Sequence, residues 1–291
     1  MTPTKFNLAI VEIQDDRARG ASELARRCLA ILAEAARALP VASTAELRER
    51  LSVLVAELAK TRPSMAPIKN LLRRWEDCAA IDADMDLTAA RRVAVERAEA
   101  LIDASRRAVT DCAAHAARSL GSGRTIITHS LSSTVLEVCR SLKDDGLRVI
   151  VTESRPLEEG RQLAERLSIW NVPTLYITDA QMGLFVARAD TALVGADSVL
   201  ADGSVVNKAG TSLLALAARE QGVPFYVCCE SFKWREAGEP PPELEEMAPA
   251  ELGVPAWPGV TVRNVYFDIT PARLVSVWID ETGVRRPDVG R

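Results

Sequence analysis

Two rhythms of apolar residues divide the chain. From Ala21 to Leu120 apolar side chains recur every three or four positions in a background of Ala, Leu, Arg and Glu with little β-branched content, which is the period of an amphipathic helix. The spacing predicts helices over 22–39, 44–60, 67–78 and 87–119, punctuated by Pro63 and by the glycine-containing stretch 121–123. Past Gly123 the period changes. Short β-rich runs (TIITHS, RVIVTES, TLYIT, TALVGAD and PFYVCCE) alternate with helical segments led by Ser132, Leu157, Ala180 and Lys208. Such alternation indicates repeated βα units around a buried parallel sheet. The tail VYFDITPARLVSVWIDETG adds a helical turn and one more strand. The expected fold is α/β, with an amino-terminal helical domain over 1–120 followed by a doubly wound, Rossmann-like, mostly parallel sheet domain over 121–291.

Composition narrows the class. At 291 residues and 48% hydrophobic content, the chain is long enough for one large or two medium cores. A net charge of −4, with cations scattered among acids, leaves no basic footprint for nucleic acid. No apolar run approaches the ~20 residues of a membrane span, and the opening MTPTKFNLAIVEIQDD has the shape of neither a secretory signal nor an acylation site. The expectation is a cytoplasmic protein without a nucleic-acid or membrane partner. The six cysteines (Cys28, Cys78, Cys112, Cys139, Cys228 and Cys229) contain no CxxC pair, and His115 and His129 are the two histidines. Neither a metal site nor a cofactor is expected from this set. The cysteines read as small buried hydrophobes, with Cys228 and Cys229 on the two faces of one strand.

In open α/β sheets ligands sit beyond the carboxyl ends of the strands, where loops and helix amino termini converge. The predicted strands end in His129 and Ser130, in Glu153 and Arg155, in Asp179, in Asp197, and in Glu230 with Lys233. Any one of these could be a helix cap or a solvated loop residue. Ser132 and Ser133 fit a cap, and Asp202 with Gly203 fits a turn. Five strands delivering polar groups to one edge point to a pocket. Asn207 and Lys208 read as the opening of the helix after the ADG turn, and a helix amino terminus with an adjacent lysine is an anion site. Arg19, Arg62 and Arg155 lie in turns that fix the direction of a guanidinium fork suited to phosphate, although each alone fits a surface residue. With no GxGxxG or Walker loop, nucleotides are not the natural ligand.

The segments ITHSLSSTVLEV, ESRPLEEGRQLAERL, VGADSVLADGSVVNKAGTSLLALAAREQGVPFYVCCESFKW and NVYFDITPARLVSV, together with RGA at 19–21 and TRPS at 61–64, resemble one superfamily over nearly the whole chain. It holds the α, β and δ subunits of translation initiation factor 2B, methylthioribose-1-phosphate isomerase and ribose-1,5-bisphosphate isomerase. The resemblance implies that Asp197 carries proton transfers between an aldose 1-phosphate and a ketose phosphate. It further implies that Arg19, Gly20, Ala21, Arg62, Asn207 and Lys208 bind phosphate and that Lys233 contacts a second one. Where the isomerases have THC, this chain has Thr128, His129 and Ser130, as the initiation-factor subunits resemble. A serine hydroxyl is far less acidic than a thiol.

Three readings follow. The first is an isomerase of a phosphorylated ribose, in which Asp197 works with Ser130, His129 or a water. The second is a sugar-phosphate sensor that binds without turnover. The third, ranked last, is a subunit of a nucleotide-exchange complex with a GTPase partner. The resemblance also implies a homodimer formed through the segment after Phe185 and the carboxyl-terminal tail.

Overall fold

The computed structural model describes residues 5–78, 81–82 and 84–286. The chain forms two compact units, one up to Arg107 and one from Ala108 onward.

The first unit is helical. It contains α1 (Lys5–Asp15), α2 (Ala21–Ala38), α3 (Thr44–Ala59), α4 (Ala66–Cys78) and the first part of α5 (Leu87–Leu120). The helices after α1 match the 3.6-residue period to within about a residue. Ser43 caps α3 by accepting the Glu46 N–H at 3.2 Å, and Asp86 accepts the N–H groups of Thr88 and Ala89 at the start of α5, satisfying amides that a helix terminus leaves unpaired. Leu24, Leu29 and Leu32 of α2, Leu47, Leu51 and Leu58 of α3, and Ile68, Leu71 and Leu72 of α4 form the core. Ala90, Ala94 and Ala98 present a buried small-residue stripe along α5, and the Trp75 indole donates to the Ala94 carbonyl at 3.0 Å.

The second unit is built on a seven-stranded sheet. Its strands are β1 (Thr125–Thr128), β2 (Arg148–Thr152), β3 (Thr174–Ile177), β4 (Thr191–Val194), β7 (Phe225–Cys228), β9 (Val277–Asp280) and β10 (Gly283–Arg285). The order is β10-β9-β7-β4-β1-β2-β3, parallel except for the antiparallel β9–β10 pair. Helices α6 (Ser133–Leu142), α7 (Glu159–Ile169), α8 (Met182–Phe185) and α9 (Thr211–Glu220) connect the strands. Alternate strand residues divide between two layers. Ile127, Ile150, Val194 and Val227 pack with Met182 of α8 and Leu214 and Ala215 of α9. Ile126, Val149, Val151, Leu193 and Cys228 pack with α6, α7 and the end of α5. The sheet is therefore doubly wound, and a single-residue shift of register would move each strand's side chains to the wrong layer.

Cys228 and Cys229 fall in opposite layers. Cys28, Cys112, Cys139, Cys228 and Cys229 are free and buried, whereas the side chain of Cys78 lies outside the described residues. Cys112 and Cys228 sit with their sulfurs 3.3 Å apart, and that contact together with burial raises the Cys112 pKa.

A second sheet was not anticipated. Strands β5 (Ser198–Val199), β6 (Val205–Lys208) and β8 (Phe267–Thr270) pair antiparallel in the order β5-β6-β8. The ADG segment is the hairpin turn between the first two, with Ser204 N–H donating to Asp202 Oδ1 at 2.8 Å and Gly203 at φ +86°. Asn207 and Lys208 consequently do not open a helix. They end β6 opposite Asp268 and Phe267, Gly210 turns the chain at φ +109°, and α9 starts at Thr211. Smaller shifts move α7 to Glu159 and α8 to Met182.

Candidate functional site

The strand order places β1 beside β4 while the chain leaves them in opposite directions, toward β2 and β7. That reversal opens a crevice beyond the carboxyl ends of the two strands. Ser130 follows β1 and Asp197 follows β4, so both residues expected to carry chemistry leave the strands that flank this point. The approach of the two loops is close. A Cβ on Gly195 would lie 2.4 Å from Ser132 Oγ, which explains the glycine of the GAD segment, and Ser132 itself caps α6.

The Ser130 backbone is left-handed, at φ +68°, and its N–H donates to Ser154 Oγ at 2.7 Å. A hydrogen-bond chain continues from there. Ser154 Oγ lies 3.1 Å from Thr152 Oγ1, which lies 2.7 Å from His129 Nδ1. The other ring nitrogen, Nε2, lies 2.9 Å from the Ala209 carbonyl. A carbonyl can only accept, so Nε2 carries the proton and Nδ1 accepts from the threonine hydroxyl. Burial lowers the His129 pKa despite the Ala209 carbonyl and the nearby Asp179 and Glu159 carboxylates. His129 is therefore neutral with both nitrogens engaged, which removes it from the candidate bases for Ser130. The other histidine, His115, bonds Arg118 on α5.

The ESRP turn is held from β3's side by Asp179, whose two oxygens accept the N–H groups of Ser154 and Arg155 at 2.8 Å each. The Arg155 guanidinium reaches Glu158 Oε1 at 3.2 Å and the Leu252 carbonyl at 3.3 Å. Gly160 is required sterically, since a Cβ would lie 1.8 Å from the Thr152 carbonyl oxygen.

Lys208 is buried, with its ammonium 2.7 Å from Glu159 Oε1 and 4.3 Å from the centre of the Tyr266 ring. Burial of the charge is thus offset by a carboxylate and an aromatic face. The electrostatic argument for a bound anion, which rested on a cation in the first turn of a helix, does not hold at this position. Asn207 donates to Thr211 Oγ1 at 3.0 Å, and that hydroxyl donates to the Lys208 carbonyl at 2.6 Å, so the pair fixes the entry to α9. Asp268, opposite Asn207, accepts from Gly210 N–H at 2.7 Å and Ser212 N–H at 3.1 Å. Desolvation outweighs those bonds and raises its pKa to about 6.

Lys233 is buried with Nζ 3.4 Å from Glu230 Oε2. Desolvation pulls its pKa down, and the field of Glu230, its largest opposing influence, leads the contributions that overcome this and raise it. Lys233 is thereby held in its ammonium form, paired with Glu230.

In the helical unit, Gly20 is the N-cap of α2 and, having no side chain, supplies no cap to the first turn; the Glu23 N–H bonds the Gly20 carbonyl at 3.0 Å, and Ala21 is buried. Arg19 is held by Asp16 through Nε at 2.8 Å and by Glu12 through Nη2 at 2.7 Å. The bond to Glu12 is the largest contribution raising the Arg19 pKa. Arg62 is buried, with Nη1 donating to the Asp16 carbonyl at 3.0 Å.

Comparison with known proteins places this arrangement. The model of the Initiation factor 2 subunit family matches residues 17–287. The chain belongs to this family. It is 38% identical over 99% of its length to an eIF-2B subunit 2-like protein of Pyrococcus abyssi, covering 98% of that protein. It is 30% identical over 95% of its length to a ribose 1,5-bisphosphate isomerase of Pyrococcus furiosus, covering 89% of that enzyme. The solved translation initiation factor eIF-2B of Pyrococcus horikoshii superposes with a TM-score of 0.85 at 36% identity, covering 98% of each chain.

Three groups within these family segments were not foreseen. Ser154 and Glu159 lie inside ESRPLEEGRQLAERL and Asp268 lies inside NVYFDITPARLVSV, so their motifs were visible while their partners were not; Asp179, expected as a strand-end group, holds the ESRP turn. Among the described residues no cluster of three or more His, Cys, Asp or Glu is arranged to hold a metal ion, and no helix is long and apolar enough to cross a membrane.

Proposed function

We propose that this member of the initiation factor 2 subunit family takes a phosphorylated ribose-type sugar, of the ribose 1,5-bisphosphate or methylthioribose 1-phosphate class, and interconverts its aldose and ketose forms. The observation that carries the reading is the departure of Ser130 and Asp197 from the two strands at the topological switch point. A carboxylate there can take a proton from one sugar carbon and return it to the neighbouring one. Ser130 offers a hydroxyl to the reacting oxygen in place of a thiol. Asn207, Lys208, Lys233 and Arg155 of the sheet unit serve the phosphates, and Arg19, Gly20, Ala21 and Arg62 of the helical unit form a second set. The kinship with a ribose 1,5-bisphosphate isomerase supports this substrate class. No bound metal or cofactor enters the reaction so read. The protein is read as a cytoplasmic homodimer, for which light scattering would return twice the 31.6 kDa of the chain.

One observation favours a second reading, binding without turnover. Ser130 is a weak nucleophile and acid, and His129 has both nitrogens committed elsewhere. Incubation with ribose 1,5-bisphosphate and methylthioribose 1-phosphate, followed by NMR, separates the two. Ketose product supports the isomerase, whereas micromolar binding by calorimetry without product establishes the sensor. The kinship with eIF-2B subunit 2-like proteins leaves a nucleotide-exchange subunit with a GTPase partner as the third reading.

A further inference from the structure

Asp16 lies in the turn between α1 and α2, with its side chain largely withdrawn from solvent. Its Oδ1 accepts the N–H groups of Ala18 at 2.9 Å and Arg19 at 2.7 Å, so the carboxylate fixes the backbone that delivers Arg19. Its Oδ2 accepts Arg19 Nε at 2.8 Å, and its carbonyl oxygen accepts Arg62 Nη1 at 3.0 Å across 46 positions of sequence. The Asp16 side chain is 9% exposed, so the surroundings hold it in this geometry. Glu12, one helical turn earlier on α1, accepts Arg19 Nη2 and Arg27 Nε with one oxygen and Arg27 Nη2 with the other. These bonds engage Nε and Nη2 of Arg19, whose side chain stays 33% exposed. A guanidinium already aimed loses less rotamer entropy when an anion arrives.

We propose that Asp16 is a positioning residue for anion recognition by the helical unit, setting Arg19 through its carboxylate and Arg62 through its carbonyl so that both guanidinium groups serve one phosphate. This rests on the sugar-phosphate reading above and adds to it a residue that contacts no ligand. It also assigns a task to α1, whose Glu12 braces Arg19 from the other side.

The test is calorimetric titration of the full chain with ribose 1,5-bisphosphate, for the parent and for Asp16→Ala, Arg19→Ala and the double variant, with circular dichroism as a check of folding. Asp16→Ala should weaken binding at least about tenfold. On the Arg19→Ala background the same change should cost about threefold or less, because most of what Asp16 orients is already gone. A purely structural role would give the same penalty on both backgrounds, and that result would overturn the proposal, as would binding by Asp16→Ala within twofold of the parent. Should Asp16→Ala fail to fold, Asp16→Asn keeps an acceptor for the two backbone N–H groups and loses only the partner of Arg19 Nε. It should bind at least threefold more weakly, and unchanged affinity overturns the proposal. If the parent itself does not bind the bisphosphate, the functional reading falls and takes this proposal with it. A parent that binds beside an unaffected Asp16 variant removes the proposal alone.

Discussion

The pair Lys208 and Glu159 separates what holds the sheet unit together from what would recognise a ligand. Their charged atoms lie 2.7 Å apart, with side chains 7% and 14% exposed, and Glu159 Oε2 is buried with no hydrogen-bond partner. At an effective dielectric constant of about 20, two unit charges at that separation attract by about 6 kcal/mol, most of which offsets the cost of removing them from water. Removing one partner leaves the other buried alone. Lys208→Met is expected to destabilise the fold by about 3–5 kcal/mol. Glu159→Gln, which keeps a hydrogen bond to the ammonium while losing the charge, is expected to cost about 2 kcal/mol. The double variant buries two neutral side chains of similar shape and should lie within about 1 kcal/mol of the parent. Urea denaturation followed by circular dichroism and tryptophan fluorescence measures the three values, and the coupling should be about 4 kcal/mol or more. A coupling below about 0.5 kcal/mol would refute the argument that each charge is needed by the other. The same proteins test recognition. The double variant recovers stability but not affinity for ribose 1,5-bisphosphate, because the ammonium is still missing. A double variant that binds like the parent would remove Lys208 from the phosphate-binding set.

Three further outcomes are expected. Gly160→Ala would force a methyl group to within 1.8 Å of the Thr152 carbonyl oxygen, so it should destabilise by at least about 3 kcal/mol, and a denaturation midpoint near the parent's would contradict the geometry. Because burial lowers the His129 pKa below 6.5, the unfolded chain takes up that proton first as pH falls. Stability from this group is complete above pH 6.5 and declines as pH drops from there toward the folded value. The parent should accordingly lose more stability than His129→Gln between pH 7.5 and 5.5, and parallel losses would show that His129 does not titrate in this way. Ser130→Cys should turn over ribose 1,5-bisphosphate at least about tenfold faster than the parent, given the greater acidity and nucleophilicity of a thiol. An NMR time course showing equal rates in both would remove position 130 from the chemistry.

The helices of the first unit could be read directly because their period is local. Leu24, Leu29, Leu47, Leu51, Leu58, Leu71 and Leu72 recur at helical spacing, and all are buried. The one helix missed there, α1, breaks that rule. Of its apolar residues Ile13 is buried, while Leu8 and Val11 are 59% and 47% exposed, so no clean face marks it. The inner parallel strands were equally legible, because burial on both faces makes β1, β2, β4 and β7 continuous β-rich runs, while the edge strand β3 keeps such a run with Leu175 and Tyr176 exposed; the carboxyl-terminal placement of Ser130 and Asp197 followed from that order.

The second sheet lay beyond such reasoning. VVNK pairs with FDIT through main-chain hydrogen bonds, and nothing in either segment names the other, so Lys208 beside a turn read as a helix start. The same holds for the groups that set charge in the site. Glu159 reaches Lys208, Asp268 reaches Gly210 across 58 positions and Asp16 reaches Arg62 across 46. Sequence alone determined the periodicity, the sheet order's chemistry-bearing edge and the family motifs, all of which are local patterns. Only the tertiary structure decided which cations already hold a carboxylate, that His129 is neutral and committed, and that Lys208 closes a strand. Those outcomes depend on desolvation and on partners far along the chain, and a charge buried against such a partner behaves differently from the same residue in water.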